Sequence, residues 1–137
     1  MLADAAWLSA DLAWERRDRV DTRYWLAFTV AADPVPEYFW LNGARIIAYD
    51  LPSWDANGRP SWRSYRQRLA AREALGWLGH ALVRHPRSFA LEVEMGNIAL
   101  YGLGDRDLAA VHYGRAARCA RAAPYADRIA RALRAGR

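Results

Sequence analysis

Lysine is absent: all 20 basic residues of the chain are arginine. A GC-rich coding sequence accounts for that usage, so the absence excludes no function by itself. Cys119 is the single cysteine, which excludes an internal disulfide framework and leaves the redox compartment open. No run of 18 apolar residues occurs, so no transmembrane helix is encoded in the chain. Asp4 and Asp11 interrupt the start, and no signal peptide is expected there. Cytoplasmic residence is the default expectation, with export or membrane anchoring if a segment lies upstream.

Chemistry-bearing patterns are equally scarce. His80, His85 and His112 have no second ligand four residues away, so no metal site is expected. Cys119 has no local activating partner beyond arginines and reads as packing in an alanine-rich helix. Asp105 and Asp107 read as turn and cap residues, and Glu92 and Glu94 fall on different sides of a helix. Gly102-Leu103-Gly104 is followed by no Lys-Ser/Thr and preceded by no strand, which excludes a phosphate loop. The expectation is a non-enzyme with no catalytic residues, no metal and no cofactor.

What the chain does have is apolar residues, at 53%, and 137 residues suit one domain with an ample core. Seven tryptophans and seven tyrosines are a rich aromatic complement, and core filling accounts for Trp25, Trp40 and Tyr113. Charge is uneven. Residues 1–60 carry net −3, residues 61–137 net +8, and the chain from Arg115 onward net +6. Such asymmetry fits either a solvated terminal face or an anionic partner.

The most regular stretch is 89–124. Ala90 to Leu103 reads as one helix, with Leu91, Met95, Ile98 and Leu103 on roughly one face. Gly104 ends it and Asp105 caps the next, because glycine accepts positive φ and aspartate accepts a backbone hydrogen bond. A second helix, Asp107 to Arg121, places Leu108, Ala109, His112, Tyr113 and Ala116 at three- and four-residue intervals.

The spacing recurs. Ala74, Leu78, Ala81 and Pro86 stand 4, 3 and 5 apart, as do Thr22, Leu26, Thr29 and Pro34. Ala109, Tyr113 and Ala116 keep the 4 and 3, with Arg121 where proline is expected and Pro124 following later. Ala74 to Ala109 is 35 residues, whereas Thr22 to Ala74 is 52. These residues, with the Leu103-Gly104-Asp105 turn, resemble the tetratricopeptide repeat, whose period is about 34 residues.

The resemblance implies an all-α fold: a short right-handed solenoid of three antiparallel helix pairs plus a C-terminal capping helix. The units span 3–36, 37–88 and 89–122, with an insertion at 50–61 in the middle one and the cap at 124–135. In the first unit Ala6, Ala10 and Ala13 form a small-residue stripe, and Val20, Leu26 and Trp25 or Phe28 are expected to be buried. Asp33-Pro34 ends its second helix. The next helix runs from Glu37 to Tyr49. Pro52, Gly58 and Pro60 break any helix in the insertion, and Trp54 and Trp62 are expected to pack it down. Ser61 can cap the following helix to Arg84. Its Gly76 and Gly79, costing about 1 kcal/mol each, suggest a close neighbour, while Arg63, Arg66, Arg68 and Arg72 stay solvated. Ile129 and Leu133 of the last helix cover its predecessor, and Arg128, Arg131 and Arg134 face outward.

In tetratricopeptide proteins the first helix of each unit lines an inner groove that holds a partner segment. Carried over by helical face, the groove takes Trp7, Asp11, Trp14 and Glu15 from the first unit. The second unit supplies Tyr38, Leu41, Arg45 and Tyr49, and the third Leu91, Glu94, Ile98 and Tyr101. Aromatics and arginine are what interface hot spots use. The implied function is a non-catalytic adaptor or assembly scaffold whose partner is another protein or peptide. Two alternatives are a nucleic-acid-binding helical repeat using the basic C-terminal half, for which no recognition motif speaks, and a subunit docking into a larger assembly through the tryptophan-bearing insertion.

Overall fold

The structure is a computed structural model that describes residues 1–54 and 65–136. Ser61, Trp62, Arg63 and most of the expected insertion fall outside the described residues. Seven helices and no strand are found among those described. Helix α1 is Leu2–Glu15 and α2 is Arg19–Ala32. Helix α3 begins as Glu37–Arg45 and runs on through a π-helical stretch, Ile46–Asp50, and a last turn, Leu51–Ser53. Tyr65–Arg84 is α4. Helix α5 starts as Phe89–Asn97 and continues π-helically over Ile98–Leu103. Arg106–Ala117 is α6 and Pro124–Ala135 is α7.

The turns carry their own chemistry. Gly104 adopts φ 70°, and Asp105 accepts from the Leu108 N–H to open α6. The first hairpin does the same with less suitable residues: Arg17 stands at φ 55°, and Asp18 accepts from the Asp21 N–H to open α2. A side chain at positive φ costs about 1–2 kcal/mol, and the Asp18 N–H bonded to the Ala13 carbonyl at 2.9 Å helps hold Arg17 there.

The three regularly spaced triads are all interior. Thr22, Leu26 and Thr29 on α2, Ala74, Leu78 and Ala81 on α4, and Ala109, Tyr113 and Ala116 on α6 are at most 2% exposed. Consecutive helices pack on one another: α1 on α2, α3 on α4, α5 on α6 and α6 on α7. The π-helical end of α5 also leans on α4. Apolar packing falls into two clusters, one centred on α2 to α4 with Leu91 and Ile98, the other on α6, α7 and the end of α5. Full burial of Leu26, Leu51, Leu78, Leu91 or Ile98 is worth about 1.5–3 kcal/mol each.

Several sequence expectations are corrected. Val20 is 78% exposed, because α1 covers the opposite side of α2, where Thr22 and Leu26 point. Phe28 lies at the exposed margin, and Trp25 is half-buried against the core. Helix α3 does not stop at Tyr49: Leu51 and Pro52 are buried on its last turn. Proline cannot donate and crowds the preceding turn; the wider π-helical turn directly ahead of Pro52 relieves both problems. Gly76 and Gly79 face open space, so no neighbour explains them. Helix α6 ends at Ala117, four residues before Arg121.

Candidate protein-interaction face

Helices α1, α3 and α5 are tied edge to edge by side chains of the expected groove. Trp7 of α1 meets Tyr38 of α3 edge-on at 5.5 Å between ring centroids, and packs on Phe39 at 5.4 Å. Further along, the Trp14 indole N–H donates to Asp50 Oδ2 at 2.8 Å. Arg45 of α3 then bonds Glu94 of α5 at 2.8 Å. The guanidinium is half-exposed while the carboxylate is buried, so this pair anchors the face to the interior.

Trp14, Glu15, Tyr38, Arg45 and Tyr101 are exposed, and Trp7, Asp11, Leu41 and Tyr49 are half-buried. Leu91 and Ile98 line nothing: both are 0% exposed and belong to the core. Their helix rotates them inward because α4 and α6 approach α5 from two sides. Glu94 is also buried, at 4%. Asp50 joins this face because α3 runs past Tyr49 through its π-helical stretch, which Pro52 in the sequence argues against.

The electrostatics follow burial. Asp50 is held above the usual carboxylate range by desolvation, opposed by the Trp14 indole. Asp11 is raised too, by burial first and then by the charge of Glu15. The Glu94 hydrogen bond strengthens the protonation of Arg45. Tyr49 is raised far above the ordinary phenol value, by burial and then by Glu94. Tyr113, whose hydroxyl donates to Asn97, is pushed up to about 12, by burial and then by charge on Tyr101 and Glu94.

Those phenols make a clean alkaline experiment, since no lysine titrates beside them. A folded-state pKa above the unfolded one means the native state keeps its proton longer. The contribution of Tyr113 is therefore fully present below the ordinary phenol value of 10.0 and is lost as pH rises toward about 12. Denaturant melts are expected to hold level up to pH 10 and weaken above it. Tyr113→Phe should make that decline shallower and leave the share of Tyr49; an equally steep decline in the variant would rule Tyr113 out as a source.

His112 lies in the interior between α5 and α6. It is 5% exposed, and its Nδ1 lies 2.7 Å from Glu92 Oε2, itself buried. Glu92 thus reaches α6 while Glu94 reaches α3. No group of three or more acidic, histidine or cysteine side chains able to hold a metal occurs among the described residues. Trp54 is half-buried against the core. Four surface cavities of 390–470 Å³ are lined by other residues.

These features define an all-α protein of packed helices with an aromatic face across three of them. No protein-family model, curated protein or solved structure matches the chain. No described helix is long and apolar enough to cross a membrane.

Proposed function

We propose that the chain is a non-catalytic protein-interaction module of tetratricopeptide type, three helix pairs and a capping helix, taking a partner segment on the α1–α3–α5 face. The observation that carries the reading is that face: Trp14, Tyr38 and Tyr101 are 41%, 57% and 56% exposed along three successively linked helices. Exposed aromatics on a rigid frame supply contact area at small ordering cost. The repeat assignment is supported by the buried triads of α2, α4 and α6 and by the matching positive-φ and aspartate-cap turns at 17–18 and 104–105. Docking through the insertion loses part of its motive, because Trp54 is engaged with the core.

The test compares the native chain with a Trp14→Ala/Tyr38→Ala/Tyr101→Ala variant as baits in extract from the native host. The expected result is a protein held by the native bait and released by the variant, a loss of about 100-fold or more in affinity, with native circular dichroism and a melting midpoint lowered only by the lost Trp14–Asp50 bond and Trp7–Tyr38 contact. Equal capture by both baits would overturn the assignment of the face.

A further inference from the structure

Four arginines converge on the opposite end of α5 with no carboxylate bonded to any of them among the described residues. Arg87 precedes α5, Arg115 lies in the last turn of α6, and Arg118 and Arg121 follow it. Arg87, Arg115 and Arg118 line one cavity of about 450 Å³ together with Glu92, Cys119 and Ala120. Arg87 and Arg121 line a neighbouring cavity of about 430 Å³ that shares Ala120. Of the two carboxylates in the walls, Glu92 lies 2.7 Å from His112 Nδ1 and Glu37 lies 3.7 Å from His85 Nδ1, so neither is bonded to these arginines. Elsewhere on the surface Arg131 pairs with Asp127 at 2.7 Å and Arg23 with Glu73 at 3.0 Å.

We infer that these adjoining cavities form a binding site for a small anion bearing a phosphoryl group. Three guanidiniums around one cavity offer many N–H donors in planar forks, which match phosphate oxygens bidentately. A dianion answers that density of positive charge better than a single carboxylate, and concave sites of this size accept small molecules. The site rests on cavity and side-chain chemistry, independent of the aromatic face.

Cys119 provides the readout. It lines the first cavity and is the one cysteine of the chain, so alkylation reports on this place alone. Its thiol is harder to ionise than usual, chiefly through burial, and the rate is therefore expressed as a ratio with and without anion. Inorganic phosphate and phenyl phosphate are the probes, with succinate as a carboxylate control. Saturating phosphate is expected to slow alkylation about fivefold or more by occlusion. Arg87→Gln and Arg115→Gln are each expected to raise the half-protecting concentration about tenfold, with native circular dichroism. Arg128→Gln, on the outer side of α7, should leave it unchanged. Protection by phosphate alone supports a free-anion site, and protection by both probes a site for phosphomonoesters. Protection by neither, equal protection by succinate, or an equal effect of Arg128→Gln from diffuse positive charge would overturn the proposal.

Discussion

Replacing His112 with leucine is expected to destabilise the fold by about 1–3 kcal/mol, a large share of the total for a domain of this size. Glu92 is 5% exposed, and its carboxylate finds its partner in His112 Nδ1 at 2.7 Å. Removing the imidazole takes the hydrogen-bond partner from a nearly buried carboxylate, and leaving such an acceptor unmade costs more than the bond itself contributes. The double variant Glu92→Leu/His112→Leu should recover most of the loss, because apolar residues of similar volume replace a buried pair at little cost. The corresponding junction between α3 and α4 already works that way: Trp40 and Trp77 pack at 5.1 Å, joined by a bond from the Trp77 indole to the Trp40 carbonyl. Urea melts of the native chain and the two variants decide the matter. A single variant no less stable than the double would show that the pair does not bind α5 to α6.

The second large effect is steric. A Cβ built on Gly102 meets the Ala71 Cβ at 2.7 Å and the Ala71 Cα at 3.8 Å. Neither atom can rotate aside, since a methyl group on a helix backbone moves only with its helix. Gly102→Val is therefore expected to push α5 away from α4 and to cost about 3 kcal/mol, the upper end of ordinary overpacking. This outweighs the advantage of about 1 kcal/mol that a helix usually gains when glycine becomes alanine, so Gly102→Ala should also destabilise. Adding Ala71→Gly to Gly102→Ala should relieve the clash and leave a coupling of about 1 kcal/mol or more in a double-mutant cycle. Additive losses would show that the two helices do not press together at this point. Gly76 and Gly79 make the contrast, for with open space around them alanine should stabilise.

Legibility in the sequence was uneven, for a physical reason that individual residues display. Caps and triads are local: Asp105 needs only the backbone of Leu108, and Thr22, Leu26 and Thr29 share a face by helical period alone. Val20 was misassigned because period places it near an apolar stripe without saying how far α1 reaches around α2. Leu91 and Ile98 failed as groove residues for the same reason, and so did the proline rule at Pro52, which a π-helical turn circumvents.

Sequence by itself determined the Gly104-Asp105 turn, which residues form the buried triads, and that charge gathers toward the C-terminal half. Tertiary structure alone decided that Trp14 reaches Asp50, that Arg45 reaches Glu94, that His112 is buried on Glu92, and that four arginines border adjoining cavities. Helical period assigns a residue to a face through contacts three and four positions away. Which face meets a neighbour depends on how closely helices approach, and that distance is set by residues 20 to 49 positions apart in the chain.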